Sequence, residues 1–391
     1  MKKRYLPAVT ALALAVFLFT AAACKGKQEQ KSPVMNLNII ENRAITADES
    51  AAGFAAKIKI GWNLGNTLDA HPGGETSWGN PTTTKEMIAA IKDAGFNTIR
   101  IPVSWSKQAP KPDYTINSAW MNRVKEIVDY SMENNLYIIL NTHHDEDIFK
   151  FRNVDMAESE KAFQAIWEQI AYAFRDYNYN LIFEGLNEPR TIGSPNEWSG
   201  GTEEERDNLN ILHQLFVDTV RQTGGNNEKR ILMIPTYAAS ASSAAMNALT
   251  IPNDPINDIK KIVVSLHSYV PNAFTFPWGD AKEWNMNNSS DTGSIDDFFT
   301  RANTTFVSKG IPVIAGEFGA VNKNNEDARA EWAEYYVSYA KNKGIPCILW
   351  DNGLFFGNGE LFGFLNRRNN TFPYQKFHAA LMRGAGVIEA K

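Results

Sequence analysis

The chain has 391 residues, 43% hydrophobic and 12% aromatic, with 39 Lys and Arg against 44 Asp and Glu for a formal net charge of -5. That length can bury one large α/β core or two ordinary ones. A mildly acidic balance offers no basic stripe to a polyanion, so nucleic acid is excluded as an expected partner.

The chain opens with "MKKRYLPAVTALALAVFLFTAAACKGKQEQ". A basic start, an apolar run and then small residues have the anatomy of a secretory signal, and the run is too short for a membrane span. Ala22-Ala23-Cys24 resembles the lipobox of bacterial lipoproteins, which implies acylation of Cys24. Ala21 stands where leucine is usual, so ordinary cleavage after Ala23 is the alternative. The chain is therefore expected to be exported, either lipid-anchored at the cell envelope through residues 1–24 or secreted. Lysine-rich residues 25–45 read as a flexible tether, and residues 46–391 read as one domain. Cys24 and Cys347 are the only cysteines. Cys347 lies within "IPCILW", which predicts a buried core thiol and no disulfide framework.

From there, short apolar runs recur in chain order: "KIKIGWNLG", "NTIRIPVSW", "LYIILNTHH", "NLIFEGLNEP", "RILMIPTY", "IVVSLHSY", "IPVIAGEFG" and "PCILWDNG". Helical periodicity fills Thr84 to Ala94, Ala119 to Glu133, Ala162 to Arg175, Glu204 to Arg221 and Asp327 to Lys341. Runs apolar throughout suit parallel strands covered on both faces. Eight strands alternating with helices predict a (β/α)8 TIM barrel, with a doubly wound open sheet as the second choice. No glycine fingerprint for a dinucleotide follows the first run.

Polar and aromatic residues collect where the runs end, at Asn63, Asn66, Arg100, Trp105, His143, Asn187, Glu188, Tyr237, His267, Tyr269, Glu317, Trp350 and Asp351. In a barrel these ends open on the one face where active sites sit. Two carboxylates stand out. Glu188 precedes Pro189, which restricts it to an extended backbone, and Glu317 lies between Gly316 and Gly319. One rim carboxylate could simply pair with a basic residue and hold two loops together. Two, each set in a tight turn on one face, suit glycoside hydrolysis. Their proximity is expected to split their pKa values, leaving one protonated and the other anionic.

The "NEP" of the fourth run and the "GEFG" of the seventh, with "IRIPVSW", "NTHH", "SLHSY" and "LWDNG", together resemble the cellulase family, glycoside hydrolase family 5. "GWNLGNTLDA" and "ETSWGNP" are similar to its subfamily 4. The likeness covers roughly residues 45 to 385. It implies that Glu188 is the acid/base and Glu317 the nucleophile of a retaining endo-β-1,4-glucanase. It also places Arg100, His143, Asn187, His267, Tyr269 and Trp350 in supporting or sugar-binding positions. Arg100 and Tyr269 are expected to hydrogen-bond Glu317, and Asn187 to meet the sugar 2-hydroxyl.

Tryptophans in loops can offer flat faces to glucosyl units. Asn66, Trp78 and Trp278 are assigned to substrate contact, and Trp198 and Trp284 also read as loop rings. Trp120, Trp167 and Trp332 lie on helical patterns and read as core. Glu184 shares strand parity with Glu188 and reads as a buried support. "HHDED" holds five potential metal ligands, but His143 and His144, adjacent on a strand, are expected to point to opposite faces. No metal or other cofactor is expected, and the expected form is a monomer. The alternatives are a preference for xyloglucan, mixed-linkage glucan or mannan, or a non-catalytic lipoprotein that captures polysaccharide at the surface.

Overall fold

Each apolar run forms a strand: β1 (Gly61–Leu64), β2 (Thr98–Ile101), β3 (Tyr137–Asn141), β4 (Leu181–Glu184), β5 (Leu232–Pro235), β6 (Ile262–His267), β7 (Val313–Phe318) and β8 (Cys347–Asp351). The computed structural model describes residues 43–255 and 260–389. All neighbouring strands pair in parallel in chain order, and β8 closes onto β1 with Gly61 beside Ile348. Every strand residue is buried, because helices cover the outside and side chains fill the inside.

A helix follows each strand, beginning with Lys85–Asp93 after β1 and ending with Gln375–Gly384 after β8. Several starts are written locally. Thr84 caps its helix by accepting from the Met87 N–H, and Thr202 and Glu205 form a reciprocal capping box ahead of Glu203–Gln222. The helix Ser289–Thr305 was not anticipated. Its sequence, "SSDTGSIDDFFTRANTT", is poor in strong helix formers and contains Gly293, so packing of Ile295, Phe298 and Phe299 must hold it.

Alternation along the strands sorts the core into two parts. Ile138, Leu140, Leu181 and Phe183 point outward to the helices. Tyr137, Ile139, Ile182, Met233, Val263, Ile314 and Ile348 point inward and form an apolar floor. Phe54, from the helix Ala51–Lys57, packs against Tyr137 at 5.7 Å and plugs that floor from below. The buried thiol of Cys347 is free, and burial raises its pKa.

The expected tether runs too long. The Ile45 side chain is buried and its N–H donates to Asn180 at 2.9 Å, while the Arg43 carbonyl accepts from Tyr137 at 2.7 Å. Residues 43–45 therefore already belong to the barrel. The signal segment 1–24, Cys24 and the rest of the tether lie outside the described residues.

Candidate active site

Above the apolar floor the inward positions turn polar. On the same parity as Ile139, Ile182 and Val263 come Asn141, Glu184 and Ser265, joined by Asn63 from β1 and Arg100 from β2. Arg100 is wholly buried and spends its guanidinium on four partners. Nε donates to Glu184 at 2.7 Å, Nη1 to Asn63 at 2.9 Å and to Glu317 at 2.8 Å, and Nη2 to Asn187 at 2.7 Å. Glu184 also accepts from Asn141 at 3.0 Å and Ser265 at 2.7 Å. Burial alone would lower the Arg100 pKa, but the charges of Glu184 and Glu317 outweigh it and raise the value. Glu184 is thus the buried support expected, and Arg100 is the hub from which the rim is built.

Glu317 faces inward because β7 carries a bulge. Ile314 points into the barrel and Ala315 out, so in a regular strand Gly316 would point in and Glu317 out. The register shifts here: Leu266 pairs with Ala315 but His267 with Glu317. The extra residue, Gly316, flips the parity, sending Glu317 inward and Phe318 outward against Trp332 and Tyr336. A Cβ on Gly316 would stand 2.9 Å from Ser265 Oγ and 3.0 Å from His267 Nε2. Gly316→Ala is therefore expected to displace His267 and Glu317 together. A drop of about 10²-fold in kcat at near-normal melting temperature would record that misplacement.

The Tyr269 hydroxyl completes the Glu317 contacts, donating to Oε2 at 2.8 Å. Burial, and then the charges of Glu317 and Glu188, push the Tyr269 pKa well up, so it remains a neutral donor. Glu188, beyond the end of β4, meets His267 Nδ1 at 2.8 Å, and the same nitrogen lies 3.7 Å from Glu317. One oxygen of Glu188, one of Glu317 and a nitrogen of His267 all lie within 4.8 Å of one another.

The expected protonated acid is not what this geometry favours. Burial would raise the Glu188 pKa, but the hydrogen bond and charge of His267, followed by Arg190 and His144, overcome it and lower the value. His267 moves the other way: burial opposes its charge, while Glu317 and Glu188 raise its pKa above the usual imidazole value. The shared proton therefore rests on His267.

Around this centre, Trp350 is nearly buried. Its ring lies parallel to that of His143 at 5.9 Å and passes so close to Gly65 that a Cβ there would stand 2.7 Å from it. Burial, then neighbouring positive charges, keeps His143 neutral. Trp78, Trp198 and Trp278 are 38%, 60% and 70% exposed on the loops after β1, β4 and β6. Trp278 stacks on Phe276 at 4.2 Å, and Phe276 leans on Tyr269 at 5.2 Å, so an aromatic ladder runs outward from Glu317.

Two expectations, on Trp284 and on the histidine pair, are corrected. Trp284 is not a free loop ring: it is buried against Tyr335, and its N–H donates to the Asp291 carbonyl. Asn66, assigned to substrate contact, sits in a left-handed turn beyond β1 (φ 52°), while Asn63, three residues earlier and on the inward parity, reaches Arg100. His143 and His144 do not diverge. They lie past the end of β3, where strand alternation no longer holds. Their rings meet edge to face at 4.4 Å, and one atom from each lies within 4.8 Å of Asp69. Both Asp69 oxygens already accept backbone N–H groups, from Thr67 and Asn66, and the Asn141 amide meets His143 Nδ1 at 3.2 Å. Asp351, also at the rim, is structural: it accepts from Trp62, Gly353, Phe364 and Leu365 and folds the following loop around itself.

Residues 63–355 match the cellulase family, described as glycosyl hydrolase family 5. The chain is 44% identical over 365 residues to endoglucanase B of Neocallimastix patriciarum, covering 90% of this chain and 75% of that one. Among solved structures, a GH5-4 broad specificity endoglucanase from Ruminococcus champanellensis with bound cellotriose superposes with a TM-score of 0.83 at 44% identity, over 86% of this chain and 99% of the other. A mutant lichenase from Caldicellulosiruptor sp. F32 in complex with cellotetraose gives 0.83 at 41% identity, over 88% and 99%.

Proposed function

The chain belongs to the cellulase family, glycosyl hydrolase family 5, and we propose that it is a retaining endo-β-1,4-glucanase with Glu317 as nucleophile and Glu188 as acid/base. One observation carries the retaining mechanism: oxygens of the two carboxylates approach within 4.8 Å. Retaining enzymes hold their carboxyl groups about 5–5.5 Å apart, whereas inverting enzymes leave about 6.5–9.5 Å for a water.

In the first step a Glu317 oxygen attacks the anomeric carbon while the glycosidic bond breaks, and the proton shared with His267 passes through Glu188 to the departing oxygen. In the second, water attacks the same carbon, displaces Glu317 and returns a proton to Glu188. Arg100 and Tyr269 hold Glu317 from both oxygens and aim it. Asn187 accepts from Arg100 through its carbonyl oxygen, which leaves its amide N–H groups for the sugar 2-hydroxyl. Proton NMR of early hydrolysis should show the β-anomer of the new reducing end first; an initial α-anomer would remove Glu317 from its role.

The pair of Glu188 and His267 carries one transferable proton between two limits. Below the lowered Glu188 value it gains a second, and above the raised His267 value it has none to donate. The alkaline limb of kcat/KM on cellotetraose is therefore expected above 6.5, the ordinary imidazole value. A limb at or below that value would contradict the shared proton.

Preference among cellulose-type, mixed-linkage, xyloglucan and mannan chains depends on subsites beyond the reacting sugar, and the relatives differ in their described specificity. One is described as broad in specificity and another as a lichenase. Linear β-1,4-glucan and mixed-linkage glucan are the proposed substrates, and initial rates on purified polysaccharides test the order. A protein that only captured polysaccharide would have no use for a matched acid and nucleophile. Export and acylation at Cys24 rest on residues 1–24 alone; loss of labelled palmitate from Cys24→Ala checks them.

A further inference from the structure

The loop after β4 carries a charge that the chemistry above does not use. The Arg190 side chain is only 12% exposed. Its Nη1 donates to the Glu188 carbonyl at 2.9 Å and lies 3.7 Å from the Glu188 carboxylate and 3.2 Å from Glu146. Its Nε lies 3.1 Å from Glu197, whose other oxygen accepts from the Gly193 N–H at 2.7 Å. The guanidinium carbon sits 4.6 Å from the ring centre of Trp198, the exposed tryptophan of the same loop. The loop itself is pinned, since the buried Tyr237 hydroxyl accepts from the Thr191 N–H at 2.9 Å and the Ala238 N–H donates to the Pro189 carbonyl at 2.8 Å.

One face of Trp198 is thus taken by a fixed cation, while its exposure leaves the other face to solvent. The loop leaves β4, the strand beyond whose end stands Glu188, the group that protonates the leaving oxygen. We propose that Arg190 is a positioning residue that couples occupation of the leaving-group side, by a glucosyl unit stacked on Trp198, to the proton affinity of Glu188. The proposal rests on the acid/base role given to Glu188 above.

The coupling follows from screening. A cation beside a carboxylate stabilises its anion, and more strongly when water is excluded. With a sugar on Trp198 the Arg190 charge is shielded from solvent, which favours release of the proton as the glycosidic bond breaks. Once the leaving sugar departs, water returns, the charge is screened, and Glu188 is a better base for the incoming water. The other groups facing Glu188 are His267 from β6, Glu317 from β7, Tyr269 beyond β6, His144 and Glu146 from the loop after β3, and Glu360 from the loop after β8. Of these, His267 touches both carboxylates, whereas the Arg190 guanidinium bridges Glu188 and the exposed ring of Trp198.

The test compares cellotetraose, which needs a proton and fills the leaving side, with 2,4-dinitrophenyl cellobioside, whose leaving group needs neither. Arg190→Gln is expected to move the alkaline limb of kcat/KM on cellotetraose upward by about one pH unit. It should also lower the rate on cellotetraose at least about tenfold more than on the aryl glycoside, and Arg190→Lys should restore most of both. Trp198→Ala should weaken cellotetraose hydrolysis selectively, mainly through KM. An unmoved limb with equal losses on both substrates, or a lowered melting temperature that accounts for them, would make Arg190 a loop anchor and overturn the proposal. Failure of the underlying reading looks different: Glu188→Gln would then hydrolyse cellotetraose normally.

Discussion

Glu317→Gln is expected to lower kcat/KM on β-1,4-glucan by about 10⁴-fold or more while leaving the melting temperature almost unchanged. The amide keeps the shape of the side chain: its oxygen can accept from Arg100 while its NH2 donates to the Tyr269 hydroxyl, so the site remains assembled. Arg100 keeps Glu184 as a buried counter-charge. What disappears is the anion that must form a bond to the anomeric carbon. Azide supplied to the smaller variant Glu317→Ala should restore turnover by attacking that carbon from the vacated side, giving an α-glycosyl azide. Activity within tenfold of the parent would dismiss Glu317 as nucleophile.

Arg100→Met should injure both fold and activity, and the two effects can be measured apart. The substitution leaves Glu184, fully buried, without its cation, and Asn63, Asn187 and Glu317 each lose a donor. Breaking one partner of a buried ion pair costs about 3–5 kcal/mol, read as a large fall in the denaturation midpoint. Arg100→Met with Glu184→Gln should recover part of the stability, because Asn141 and Ser265 can still serve an amide. It should recover little activity, since Glu317 stays unheld on that side. Recovery of both together would mean that Arg100 matters for folding alone.

The strands and the rim were legible because parallel barrel strands are apolar on both faces and stop being so at their ends. "LIFEGLNEPR" and "IPVIAGEFG" announce the change within a few residues. What alternation alone could not give was the bulge at Gly316, because its register is fixed by partners in β6 and β8. A strict count sends Glu317 outward. Asn63 and Asn66 both close the same run, and only the inward parity of Gly61 and Asn63 separates them. The burial of Trp284 depends on Tyr335, 51 positions away, and His143 and His144 escape alternation because the strand has already ended. The proton on His267 was hidden for a similar reason: reasoning from two acids alone omits the cations that β6, the loop after β3 and Glu188's own loop bring to it.

The central claim, that Glu317 forms a bond to the sugar, is tested most directly by trapping that bond. The enzyme would be inactivated with 2,4-dinitrophenyl 2-deoxy-2-fluoro-cellobioside, digested and sequenced by mass spectrometry. The expected result is one fluorocellobiosyl group on the Glu317 carboxylate, with dinitrophenolate released in equal amount. A label on Glu188 or any other residue, or slow turnover that never leaves a labelled protein, would contradict it.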